Sequence, residues 1–295
     1  VIKIENLTKS YGIDKGVFNL SLSVNRGEVF GFLGPNGAGK TTTIRHLLGF
    51  LNPDDGKCSI DGMDCRQQSA EIQKFIGYLP GEIVFFDSMS GLEFLKFMAE
   101  MRKMKSNAKR DQLIEMLELD CAGTIRKMSK GMKQKLGLVA AFMHDPAVLI
   151  LDEPTSGLDP LMHNRFVSLI RVEKMAGKTI FMSSHRFDEI EHTCDRAGII
   201  RSGFLVTVED IAILRANQRK KYTITFVDNQ AATDFAQRDF DIISKTENVV
   251  DVVIQDNLSQ FLASLTNYHV TGLDSGQLGL EDVFMQYYGK DEHND

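Results

Sequence analysis

Two runs in this sequence have the residue types and spacing for phosphate chemistry. The first, Gly34-Pro35-Asn36-Gly37-Ala38-Gly39-Lys40-Thr41-Thr42, follows the pattern G-x-x-x-x-G-K-[ST]. Its glycines let successive backbone N–H groups turn inward around an anion, and a helix from Thr41 to Leu48 adds its positive end. Lys40 is placed to reach the outer phosphates of a nucleotide, and the Thr41 hydroxyl to ligate Mg²⁺. The second run is Asp152-Glu153, following the apolar stretch Val148-Leu149-Ile150-Leu151. An acid there can hold Mg²⁺ through water, and its neighbour can polarise an attacking water as a general base.

These groups need rigid elements behind them. Gly27-Glu28-Val29-Phe30-Gly31-Phe32-Leu33 reads as a turn entering a buried strand, which gives the glycine-rich loop its strand–loop–helix context. Val148–Leu151 has no polar break and predicts a central parallel strand covered on both faces. Thr179–Ser184 predicts a third buried strand, with His185 at its end. Between the first two strands, Ser90-Gly91-Leu92-Glu93 marks a helix start with a capping box. Leu92, Leu95 and Met98, then Leu113, Met116 and Leu117, form amphipathic stripes beyond it. Met128-Ser129-Lys130-Gly131-Met132-Lys133-Gln134 leads into a helix whose apolar positions are Met132, Leu136, Val139, Ala140 and Met143. The start of that helix is a second natural anion site.

The Ser129–Gly131 run resembles the signature motif of ABC-type ATPases, with Lys130 and Met132 where Gly and Gln usually stand. The resemblance implies an α/β fold of the P-loop NTPase type, with an antiparallel β subdomain and a helical insertion over about residues 82–145. It assigns ATP and Mg²⁺ as cofactors and ATP hydrolysis as the activity. Tyr11 then matches the aromatic that stacks on adenine, and His185 the switch histidine that contacts the γ-phosphate. Ser156-Gly157-Leu158-Asp159 resembles the loop that crosses to a partner subunit's phosphate loop. Ser129 and Gly131 would close on the ATP of the opposing subunit in a head-to-tail dimer, formed with a second copy or a related chain. The other implied partner is an integral-membrane permease, which would hold this chain at the inner, cytoplasmic face of the cell membrane. The family normally carries Gln where this sequence has Gly81; Glu82, next to it, could substitute as an oxygen ligand for Mg²⁺.

Composition supports this class. The 295 residues carry a net charge of −6, which disfavours a nucleic-acid partner because phosphate backbones are held by clustered Lys and Arg. Cys58, Cys65, Cys121 and Cys194 show no metal-binding spacing and fit a reducing cytoplasm. The start of the sequence alternates like a strand, without the character of a signal peptide, and apolar runs are strand-sized. Residues 1–215 read as the nucleotide-binding domain, the last of them through a helix-like stretch after Gly203; residues 216–295 read as a small α+β domain. Within the latter, strands are expected at Tyr222–Val227, Asn248–Ile254 and Val270–Leu273, and helices at Ala231–Arg238, Leu258–Leu265 and Leu280–Tyr288. This small domain resembles the appendage of ABC exporter ATPases that serve drug, peptide-antibiotic and bacteriocin resistance.

Overall fold

The structure, a computed structural model, describes residues 1–13, 15–216, 220–254 and 258–277. It divides into a unit from Val1 to Ile211 and a second unit that begins at Ala212.

In the first unit, β1 (Ile2–Gly12), β2 (Lys15–Val24), β4 (Asp55–Ile60) and β5 (Met63–Asp64) form an antiparallel sheet in the order β2-β1-β4-β5. A second sheet takes β3 (Val29–Leu33), β6 (Ile76–Leu79), β7 (Val148–Asp152), β8 (Thr179–Ser184), β9 (Arg196–Arg201) and β10 (Phe204–Asp210), in the order β10-β9-β3-β8-β7-β6. All its pairings are parallel except that of β10 with β9. Every residue of β3, β7 and β8 is buried, as the apolar runs Val148–Leu151 and Ile180–Met182 require of strands covered on both faces. The polar residues Asp152, Ser183 and Ser184 are buried at the carboxyl ends of β7 and β8. Helix α1 (Lys40–Leu47) lies in the core shared by the two sheets. Its Ile44 and Leu47 pack with Ile2, Leu7 and Leu20 of one sheet and Phe32, Ile150 and Phe181 of the other.

Helix α2 (Ser69–Phe75) leads into β6, and the insertion follows with α3 (Gly91–Met101), α4 (Ala108–Met116) and α5 (Lys130–Phe142). The capping box at Ser90 forms as expected: Ser90 Oγ accepts from Glu93 N at 3.2 Å, and Ser90 N donates to Glu93 Oε2 at 2.7 Å. Leu95 and Leu117 are buried, while Leu92 stays exposed. In α5 the covered face is broader than the apolar stripe suggests and includes Gln134 and Gly137, because the helix packs against both the insertion and β6. Lys109 of α4 pairs with Asp145 at 2.5 Å and Glu173 at 2.9 Å, tying the insertion to α6 (Pro160–Met175). Buried Lys178 pairs with the same two acids. The two ammonium groups hold the Asp145 carboxyl down to about 2.

The remaining helices of this unit are α7 (Phe187–Thr193) and the start of α8 (Ile211–Ala216). The helix-like stretch expected after Gly203 is corrected: Phe204–Asp210 forms β10, which extends the main sheet on β9, and only α8 is helical. Alternation of Leu205, Thr207 and Glu209 with Val206, Val208 and Asp210 suits an edge strand better than a helix.

The second unit is a four-stranded antiparallel sheet in the order β12-β13-β11-β14, with two helices. Its elements are β11 (Lys220–Phe226), α9 (Asn229–Ala236), β12 (Asp241–Thr246), β13 (Val249–Ile254), α10 (Leu258–Leu265) and β14 (Val270–Gln277). Ile224, Phe226, Phe235, Val252 and Phe261 make its core. The five expected elements in the described residues all form; the helix expected at Leu280–Tyr288 lies outside them. Strand β12 was not expected, because it is an edge strand exposed over most of its length and lacks an apolar period.

Gly77 of β6 permits a close strand–helix approach in the insertion: a Cβ there would lie 2.2 Å from the Ala141 carbonyl oxygen of α5. Gly77→Ala should therefore lower stability by about 1–3 kcal/mol, the usual range for overpacking, measured as a reduced denaturant midpoint.

Candidate functional site

The glycine-rich loop joins β3 to α1. Gly37 and Gly39 adopt positive φ of 81° and 109°, turning the loop in a way that side-chain-bearing residues resist. Gly39 caps α1 without a side-chain hydrogen bond, so the first N–H groups of the helix are left for an anion. The Lys40 ammonium is buried and donates to Gly34 O at 2.7 Å and Pro35 O at 3.1 Å, folding the lysine back over its own loop. Gly34 N donates to Ser184 O at 3.2 Å, which fixes the loop to the end of β8.

At the end of β7, Asp152 Oδ2 accepts from Thr41 Oγ1 at 2.7 Å, and Oδ1 accepts from Ser183 Oγ. Two hard oxygens from separate elements thus meet at one point. Glu153 has a φ of 47°, a left-handed conformation unusual for a side-chain-bearing residue. It turns the chain sharply and sends the carboxylate back along the loop. Oε1 lies 3.3 Å from Lys40 Nζ, and Oε2 lies 3.1 Å from His185 Nδ1. Lys40, Glu153 and His185 therefore form a continuous chain of contacts at the carboxyl ends of three parallel strands. Tyr11, 54% exposed at the end of β1, lines a cleft of about 500 Å³ together with Asn36, Gly37, Lys40, Thr41, Thr42 and Glu153. An aromatic face, inward N–H groups, a cation and a poised carboxylate in one cleft can bind a nucleotide and promote attack on its terminal phosphate.

The ABC transporter family model matches residues 17–156. The bacitracin transport ATP-binding protein of Bacillus licheniformis is 38% identical over 245 residues, covering 82% of this chain and 80% of that protein. The chain belongs to the ABC transporter family. The linearmycin resistance ATP-binding protein of Bacillus subtilis is 34% identical, covering 70% of this chain and 68% of its own length. A solved structure of an ABC transporter ATP-binding subunit shares 29% identity at a TM-score of 0.66, covering 73% of this chain and 92% of that one. The chain is accordingly an ATP-binding, ATP-hydrolysing subunit of an ABC transporter.

The other residues expected of an ABC ATPase divide into those in the cleft and those outside it. Ser129 and Gly131 are not among the residues lining it. Ser129 is exposed and caps α5, its Oγ accepting from Met132 N at 3.2 Å. Gly131 lies against Gly157, where a Cβ would come within 2.9 Å of the Gly157 carbonyl oxygen. Asp159 is also exposed and serves as the N-cap of α6, accepting from Met162 N at 2.9 Å. Gly81 sits against Asp152: a Cβ at this position would lie 3.2 Å from Asp152 Oδ2. Glu82 is exposed, and no hydrogen bond or ion pair among the described residues joins it to Thr41 or Asp152. The neighbour of Asp152 is thus Gly81, because the turn after β6 carries the Glu82 side chain outward.

Sequence reasoning missed three residues. Ser183 pairs in register with Asp152 across β8 and β7, and Glu153 N donates to both Ser183 O (3.2 Å) and Ser183 Oγ (3.1 Å). No local pattern distinguishes this serine from Ser184; only strand register does. Glu189 is 1% exposed and accepts from Ser184 Oγ at 2.6 Å, bracing the residue that precedes His185. Burial pushes its carboxyl up to about 7, against the Ser184 and Thr155 hydroxyls and the charge of Arg186. Gln134 is the third, and its signal was visible: a polar residue on the same helix face as Leu138 and Ala141.

Ser183→Ala removes a side chain that touches both acids of the site; turnover should fall about 10- to 100-fold with ATP affinity nearly unchanged, checked by steady-state kinetics and nucleotide titration. For Glu189 the folded-state carboxyl binds its proton more tightly than the unfolded one. Stability associated with this group is present below about 4.5 and is lost as pH rises through about 7. Glu189→Gln removes that loss, so its stability relative to the parent should improve by roughly 3 kcal/mol between pH 4 and pH 8 in denaturant titrations.

Proposed function

We propose that this chain powers a separate integral-membrane permease that exports a drug, a peptide antibiotic or a similar small molecule, working as one half of an ATP-dependent head-to-tail dimer. The observation that carries the dimer is the division of the phosphate-binding groups. The loop of residues 34–42 lines the ATP cleft, whereas Ser129, at the start of α5, is exposed and lies outside its lining. A second subunit, identical or related, supplies what each cleft lacks.

In this reading adenine stacks on Tyr11 and the phosphates lie on the N–H groups of the loop and α1. Lys40 spreads the charge of the γ-phosphate, and Glu153 accepts a proton from the attacking water, oriented by His185. Ser129 and Gly131 of the opposing subunit complete the γ-phosphate contacts, with the Asp159 loop beside them. The Thr41 and Asp152 oxygens, 2.7 Å apart, suit a hard cation that keeps several waters, so they would hold Mg²⁺, which neutralises developing phosphate charge. Glu82 is not given a ligand role.

The permease reading has its own support. No helix among the described residues is long and apolar enough to cross a membrane. The insertion exposes Val84 and Met101, and Phe86 packs edge-on against Phe97 beside them. Such a patch fits a cytoplasmic helix of a membrane subunit and would place this chain at the inner face of the membrane. Export of antibiotics follows the names of the bacitracin and linearmycin relatives. The C-terminal unit, whose core is apolar and closed, is read as a structural or dimer-supporting appendage.

The test is the solution mass of the Glu153→Gln protein with and without ATP. Slowed hydrolysis should let the ATP-bound dimer accumulate, doubling the mass. A monomer that binds ATP stoichiometrically at high concentration would remove the dimer from this proposal.

A further inference from the structure

Gln134 is buried at 4% exposure on α5, and its side chain leaves the helix to meet the segment that follows β7. Its amide nitrogen donates to Pro154 O at 2.8 Å and to Glu153 O at 3.3 Å. Facing two carbonyl oxygens, the amide can present only its NH₂ group, which fixes its orientation. On the opposite side, Glu153 N donates to Ser183. Glu153, held in the left-handed region despite its side chain, is therefore gripped from two elements, β8 at its nitrogen and α5 at its carbonyl.

That grip has a physical purpose. A left-handed residue other than glycine is disfavoured by roughly 1–2 kcal/mol and persists only where its surroundings over-determine it. Rotation of the backbone at residue 153 would carry the carboxylate off both Lys40, 3.3 Å away, and His185, 3.1 Å away. The same helix touches the same segment a second time: Gly131 lies against the Gly157 carbonyl, and the Lys130 methylenes lie over Gly157. Helix α5 and residues 153–157 are thus joined at two points, and Ser129 is the N-cap of α5.

We infer that Gln134 is a positioning residue that ties the carboxylate of Glu153 to the helix carrying Ser129. It does not touch the reacting atoms. Resting on the dimer reading above, the bond also means that engagement of Ser129 by the opposing subunit's nucleotide is transmitted through α5 to the base of the other site. A Gln134 contact of this kind makes hydrolysis depend on closure without adding a group to the cleft.

Gln134→Met keeps the length and volume of the side chain and removes both donors. Its kcat should fall about 10- to 100-fold, as expected for loss of bonds to a buried catalytic segment, with ATP affinity within about twofold of the parent. Because the loss runs through Glu153, the residual rate of Glu153→Gln should not fall further when Gln134→Met is added. Gln134→Met alone should also accumulate the ATP-bound dimer, since closure is intact and hydrolysis is not. Gln134→Glu is the second variant: only its protonated form donates, so its kcat relative to the parent should rise toward acidic pH. Unchanged kcat in Gln134→Met, or an equal further loss in the Glu153→Gln background, overturns the inference. So does a parallel loss of ATP binding, which marks a merely structural role. If Glu153→Gln itself stays monomeric with ATP, the dimer reading fails, while the comparison of residual rates still decides whether Gln134 acts on Glu153.

Discussion

The chemistry of this chain depends on β8 lying in parallel register between β3 and β7. Leu33 pairs with Ser184 on one side and Asp152 with Ser183 on the other, so three strands end at one rim. From that rim leave the phosphate loop, the acid pair and the histidine. Parallel strands share a direction, so their carboxyl ends and the loops beyond them collect on the same edge, where ligands of open α/β sheets bind. Each of the paired serines then links two motifs: Ser183 steadies the acids, and Ser184 holds Gly34 through its carbonyl and Glu189 through its hydroxyl.

This arrangement explains the tolerance of polar groups in a buried layer. Asp152, Ser183, Ser184, Lys40 and Gln134 are all buried, yet each has partners drawn from a different element. A buried polar group without a partner costs free energy, and one with a partner adds direction that apolar packing lacks. The network therefore orients the acids within a site whose walls are strand ends. It also brings Ser183 and Gln134, from β8 and α5, onto the segment that carries the two acids.

The insertion is anchored differently. Its helices pack by apolar stripes, and its attachment to α6 is ionic, through Lys109 and Lys178 with Asp145 and Glu173. Of these pairs Lys178–Glu173 is buried on both sides, and a buried pair gives little net stability but strongly penalises the loss of one partner. The pairs to the exposed Asp145 carboxylate contribute little. Its polar continuity with the cleft runs through α5, which begins after the exposed Ser129 and whose Gln134 reaches the backbone carbonyls of Glu153 and Pro154.

The sequence by itself determined the motifs and the elements that carry them. The phosphate loop, the buried strands at Val148 and Thr179, the capping box at Ser90 and five elements of the C-terminal unit follow from local rules of spacing, glycine placement and periodicity. Those rules act over a few residues and need no partner. The tertiary structure alone decided that Glu153 takes a left-handed turn toward Lys40 and His185, and that Ser183 rather than Ser184 serves Asp152. It also placed Gly81, and not Glu82, beside that acid, and left β12 as an exposed edge strand. Each of these depends on register or approach between elements far apart in the chain. Such contacts are set when the sheet and helices pack, and a one-residue shift in strand register would have exchanged the two serines.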